Sequence, residues 1–127
     1  MPADAKLFIA LGSLFAFAAV GLGAFGAHAL KARLAPELLA VWQTAVQYHF
    51  YHALGIVLVG LACFQLPGNT ALRASGCLMG VGIVLFSGSL YALALSGERW
   101  LGAVAPVGGA AFMLAWGALA WGALRNP

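Results

Sequence analysis

Charged side chains cut this chain into long uncharged apolar runs, and that alternation is its strongest signal. Asp4 and Lys6, then Lys31, Arg33 and Glu37, then Arg73, then Glu98 and Arg99, and finally Arg125 bound stretches that carry no charge. A helix needs roughly 20 apolar residues to cross about 30 Å of hydrocarbon, and four runs are long enough. The pattern predicts an all-α fold, a four-helix transmembrane bundle in a single polytopic domain, with spans at about 7–30, 38–66, 72–96 and 100–124. Pro67-Gly68-Asn69 breaks the long uncharged stretch after the second span, because proline and glycine end a helix and asparagine tolerates turn geometry. Pro36-Glu37 signals a helix start, since proline suits the first turn and a carboxylate there complements the helix dipole. Ser96-Gly97-Glu98-Arg99 is a very short connection that forces its two helices side by side and antiparallel, giving an up-and-down bundle.

Composition sharpens this picture. Of 127 residues 64% are hydrophobic and 7% charged, with a mean hydropathy of +0.99, which excludes a soluble enzyme, a disordered chain and a nucleic-acid-binding module. The pI of about 9.2 reflects a shortage of acids rather than a basic patch, so membrane lipids, and no nucleic acid, are the expected partners. Ala27-His28-Ala29 looks like a signal cleavage site, but the run before it exceeds the roughly 7–15 residues of a signal peptide's apolar region, so the first span is expected to be retained. The positive-inside count ties, with Lys6, Arg73 and Arg125 on one side against Lys31, Arg33 and Arg99 on the other. Lys6 beside the first span tips the expectation toward cytoplasmic termini. Cys63 and Cys77 are expected to be reduced, small packing residues.

Polar groups inside a bilayer must be partnered or face a wet cavity, so their depth carries information. His28 closes the first span, Gln43, Thr44, Gln47, Tyr48, His49, Tyr51 and His52 lie early in the second, and Ser87, Ser89, Tyr91 and Ser96 lie late in the third. These positions predict one polar half, on the side of the first and third loops, above an apolar half. At about 100° per residue Thr44, Tyr48, Tyr51 and His52 form one stripe flanked by Gln43 and Gln47, and it is expected to face inward. Pro106 is expected at similar depth, releasing the Gly102 carbonyl to a donor of that cluster.

The candidate ligand-binding set is therefore His28, Gln43, Gln47, Tyr48, His52, Ser87, Ser89 and Tyr91, with a small or amphipathic ligand such as a lipid headgroup, a small molecule or a proton. His28, His49 and His52 match a zinc-type ligand set in number, but no span holds a carboxylate to act as base or supporting partner, so no metal, no cofactor and no catalytic residue is expected. The expectation is a non-enzymatic binding protein. Small-residue stripes at Ala19, Gly23 and Ala27, at Gly76 and Gly80 continuing to Gly88, Ala92 and Ser96, and at Ala111 and Ala115 are expected to serve helix packing within the chain, and they also support a second reading, a homo-oligomeric assembly subunit. A small transporter or metal-binding membrane protein ranks third. Trp42 and Trp100 are expected in an aromatic belt at one surface and Trp121 at the other, while Trp116 lies deeper and needs a partner for its indole donor.

Four ordered motifs carry a family resemblance. They are Gly23-Ala24-Phe25-Gly26-Ala27-His28, the run from Trp42 to His52, the run from Leu85 to Tyr91, and Pro106-Val107-Gly108-Gly109. On these the chain resembles the domain of unknown function 423 family, YgdD-like small inner-membrane proteins related to the transmembrane protein 256 family. The resemblance spans nearly the whole chain. It implies a four-span protein of the bacterial inner membrane and brings no reaction, substrate or cofactor with it.

Overall fold

The backbone has nowhere but itself to bond inside hydrocarbon, and the chain accordingly resolves into helices joined by short turns. A computed structural model describes residues 1–125. Helix α1 (Ala3–Phe25) runs on through a wider π-type turn, Gly26–Leu30, and α2 covers Pro36–Gln65. Helix α3 (Thr70–Gly82) passes through a second π-type segment, Ile83–Ser87, into α4 (Gly88–Ser96); a 3-10 turn, Arg99–Ala103, then leads into α5 (Ala105–Arg125). These elements make four continuous rods, Ala3–Leu30, Pro36–Gln65, Thr70–Ser96 and Arg99–Arg125, each long and apolar enough to cross a membrane. At 1.5 Å per residue, 27 to 30 residues reach about 40–45 Å, the hydrocarbon plus both headgroup layers.

Local chemistry sets the ends. Pro36 opens α2 at its first turn. The Asn69 side chain accepts from the amides of Ala71 and Leu72 at 3.0 and 3.2 Å, capping α3, while its Nδ2 donates to the Gly122 carbonyl at 3.1 Å and ties that turn to the end of α5. Asp4 takes two hydrogen bonds from Arg73, at 2.8 and 3.2 Å, joining the starts of the first and third spans.

Helix α1 packs along α2, α5 packs along α3, and α2 meets both α3 and α4, so the second and third spans are the central pair that carries the other two. Burial agrees: 44% of the most apolar stretch is enclosed in the second span against 17% in the first. The main core joins Phe8, Ile56, Val59, Cys63, Leu72, Met79, Ile83 and Phe112. A smaller cluster of Leu30, Trp42 and Ala94 closes the other end.

Close approach requires glycine at two of these crossings. A Cβ on Gly108 would stand 2.3 Å from the backbone nitrogen of Phe86, so α5 touches the third span main chain to main chain, at its π-type segment. A Cβ on Gly26 would stand 2.5 Å from the Trp42 indole, which lies flush against the first span and donates from Nε1 to the Leu22 carbonyl at 2.9 Å. Trp42 is thus a core residue, 2% exposed, rather than part of an interfacial belt. Trp100 and Trp121 do face outward, and the Arg125 guanidinium lies 5.2 Å over the Trp121 ring.

Three further expectations change. Helix α5 begins at Ala105, so Pro106 sits in its first turn, where its missing amide is no loss and no Gly102 carbonyl is released from a helix interior. Cys63 packs in the core, but Cys77 faces outward and fills no gap. Hydrogen-bonded polar groups are not confined to one half either: Ser75 Oγ donates to the Ala115 carbonyl at 2.7 Å, and Asn69 binds Gly122, both in the half expected to be almost purely apolar.

Gly108→Ala is expected to destabilise the detergent-solubilised protein by about 1–3 kcal/mol, the usual range for overpacking. Gly117→Ala, with nothing within 4 Å of the added carbon, is its neutral control. Thermal unfolding followed by size-exclusion chromatography compares the two, and equal melting of both variants would refute the contact at Gly108.

Candidate functional site

The orientation of α2 decides which polar residues meet. Its buried positions include Trp42, Ala45, His49, His52, Ala53 and Ile56, a stripe at helical spacing that packs against the other spans. Gln43, Gln47, Tyr48 and Tyr51 point outward, and Thr44 is half-buried, so the stripe expected to face inward is turned away from the core except at His52. Small Ala45 and Ala53 let neighbouring helices approach, which the bulkier glutamine and tyrosine face would not allow.

Both imidazoles lie near midspan rather than near one surface, since His49 and His52 are 13 and 16 residues from Pro36 in a 30-residue helix. His52 is fully engaged. Its Nε2 accepts from the Trp116 indole at 3.1 Å, and because indole can only donate, the ring proton must be on Nδ1, which donates to the Tyr48 carbonyl at 2.8 Å. The ring also stacks on Phe112 with centroids 3.5 Å apart and planes 7° from parallel. His49 is engaged on one side only. Nδ1 shares a 2.8 Å hydrogen bond with the Tyr91 hydroxyl, while Nε2 is buried without a hydrogen-bond partner. The Phe15 ring meets it edge-on at 5.9 Å, and the Phe15 backbone lies near the ring without reaching hydrogen-bond geometry at Nε2.

The serines of the third span are likewise used up. Ser87 Oγ donates to the Ala45 carbonyl at 2.7 Å, linking the second and third spans, and Ser89 Oγ donates to the Phe86 carbonyl at 2.9 Å inside the π-type segment. His28 is exposed at the end of the first span and does not join the other two histidines. Among the described residues no group of three His, Cys, Asp or Glu side chains is placed to hold a metal ion. The eight candidate positions therefore separate into an inner set, His52, Ser87, Ser89 and Tyr91, bonded within the bundle, and an outer set, His28, Gln43, Gln47 and Tyr48.

Gln43 and Gln47 do share a feature. With Thr44 they line one wall of a surface groove of about 550 Å³ between the first and second spans, opposite Gly23, Gly26 and Ala27. It continues into a second hollow of about 330 Å³ walled by Ala19, Val20, Ala24, Phe50 and Tyr51, with Gly23, Val46 and Gln47 common to both. Eight helical steps from Ala19 to Ala27 and eleven from Ala40 to Tyr51 give the furrow a length of about 12–17 Å. That is about half the hydrocarbon thickness. The furrow therefore runs from the level of the first loop to the middle of the bundle, with amides and a hydroxyl at the outer end and apolar walls at the inner end. Sequence reasoning missed it, although the stripe Ala19, Gly23, Ala27 was its signal: small residues, assigned to helix packing, here leave one wall of the groove empty.

Trp116→Phe removes the donor to His52 and is expected to cost about 0.6 kcal/mol and at most about 1.7, the range for interhelical hydrogen bonds in a membrane. A double-mutant cycle with His52→Phe isolates that pair. A coupling energy of zero would refute the indole–imidazole hydrogen bond.

The chain is similar to known proteins over most of its length. The family described as "Protein of unknown function (DUF423)" matches residues 22–109, a stretch holding Gly26, Trp42, both buried histidines, Tyr91 and Gly108. The chain is 50% identical over 111 residues to the UPF0382 membrane protein YwdK of Bacillus subtilis, covering 87% of this chain and 90% of that one. It is 46% identical over 113 residues to a UPF0382 membrane protein of Staphylococcus epidermidis (87% and 89% covered) and 42% identical over 113 residues to one of Staphylococcus aureus (87% and 89%). No solved structure matches it. On these matches, and on the four membrane-length helices, the chain belongs to the DUF423 family of multi-pass membrane proteins.

Proposed function

We propose that the protein holds one amphipathic molecule, a membrane lipid of the leaflet on the first-loop side, in the groove between its first and second spans. The observation that carries this reading is the groove's gradient over a single leaflet's depth, from Gln43, Thr44 and Gln47 to Ala19, Val20 and Phe50. Amide side chains at the outer end offer both donors and acceptors to a headgroup or ester. The apolar inner end offers van der Waals contact to an acyl chain, the main source of cohesion where water is absent. The role is one of binding rather than catalysis, since the polar groups lining the groove are the Gln43 and Gln47 amides, the Thr44 hydroxyl, the Trp42 indole and the Tyr51 phenol, which supply no nucleophile–base pair.

The test fills the groove from exposed positions, so that folding is spared. Ala24→Leu/Ala27→Leu is expected to leave melting unchanged and to abolish the lipid retained by the wild-type protein in native mass spectrometry. Equal lipid retention by both proteins would overturn the reading. So would a wild-type protein that carries no lipid and appears as a dimer lost in the variant, because the groove's occupant would then be a second copy.

The same reading sets the protein in the bacterial inner membrane with both termini in the cytoplasm, supported by Lys6 close to the first span. A fluorescent protein fused after Pro127 should then be bright and an alkaline phosphatase fusion at the same point inactive. The reverse pair of results would invert the orientation and leave the groove facing the opposite leaflet.

A further inference from the structure

The groove's outer end lies directly beneath the first loop. Ala27 and Ala40 close that end, and the connection between the two spans carries Lys31 and Arg33, both exposed. Lys31 is four residues beyond Ala27, about one helical turn. Among the described residues the one salt bridge is Asp4–Arg73, at the other surface of the bundle, so no carboxylate among those residues holds either loop cation. The acid of the same loop, Glu37, sits in the first turn of α2, where it faces the positive end of the helix dipole. We infer that the groove selects an anionic phospholipid, with its phosphate at Lys31 and Arg33 and one acyl chain laid along Gly23, Val46 and Phe50.

This inference rests on the proposed lipid-binding groove and adds the headgroup class. Three features favour it. The polar lining of the groove itself is neutral and would take any glycerolipid, so discrimination must come from what stands at its mouth. Guanidinium and ammonium groups beside a headgroup layer attract phosphate, the first in a forked geometry and the second as a point charge. Long basic side chains at a helix end also reach sideways and upward to the interface while their methylene stems cover apolar surface. Exposed His28, one residue beyond Ala27, adds a third side chain able to donate to phosphate at the same end.

The experiment uses the full-length protein in mixed micelles holding equal amounts of phosphatidylglycerol and phosphatidylethanolamine, and counts bound lipid by native mass spectrometry. The wild type is expected to carry one lipid with a preference of about tenfold for phosphatidylglycerol, since each basic residue at a membrane surface adds appreciably to anionic attraction. Lys31→Gln/Arg33→Gln should still carry one lipid but with the preference reduced to about onefold. Glu37→Gln should keep or raise it. Retained lipid without preference in the wild type, or an unchanged preference in the double variant, would overturn the headgroup assignment and leave the groove standing. Absence of any retained lipid in the wild type would overturn the groove and this inference together.

Discussion

A donor in the middle of a bilayer has no water to fall back on, and the arrangement of this bundle follows from that one constraint. Trp42, Ser75 and Ser87 each send a side-chain donor to a main-chain carbonyl of another span, and Asn69, in the turn before the third span, sends one to the Gly122 carbonyl of the fourth. A helical carbonyl keeps a second lone pair after its own helix bond, so it can accept such a donor without breaking the ladder. Each bond is worth little, about 0.6 kcal/mol. What they supply is register: sliding or rotating a span would strand several donors together in hydrocarbon.

Those bonds need close approach, and glycines permit it. Gly26 makes room for the Trp42 indole, Gly82 for the Phe112 ring, and Gly108 for the backbone at Phe86. Phe112 in turn stacks on His52, and Trp42 packs on Tyr91 with centroids 4.6 Å apart. The four stretches that carry the family resemblance are neighbours across the bundle: the first three meet around Trp42, through Gly26 and Tyr91, and the third meets the fourth at Phe86 and Gly108. Lipid tails are as apolar as leucine, so association of these helices depends on such packing and not on a hydrophobic drive between them.

Span number and turn positions were legible because they depend only on run length and on strong punctuation by Pro36, Pro67 and Gly97. The rotation of α2 was not. Periodicity gives the angle between residues and not the absolute facing, and two stripes on this helix satisfy the same spacing. The rule that polar residues face inward favoured Tyr48 and Tyr51, but tyrosine also lies well at membrane interfaces, and small Ala45 and Ala53 made the other face the better contact. Pro106 misled for a related reason: whether it kinks or starts a helix depends on where α5 begins, and the 3-10 turn before it leaves no mark in the apolar pattern.

The contrast between the two buried histidines bears on where a ligand can bind. His52 has both ring nitrogens occupied and its tautomer fixed by an indole that can only donate. His49 Nε2 has no hydrogen-bond partner among the described residues. That nitrogen is sealed, wedged beside Phe15 with its other side held by Tyr91, so it offers no entry to a molecule arriving from lipid. The interior polar groups are thus either paired or shut away, and they serve to fix the helices. Groups with unused bonding capacity and open access are the outward ones, Gln43 and Gln47, and they stand on the wall of the one-leaflet furrow, where a bilayer necessarily brings amphiphiles to them.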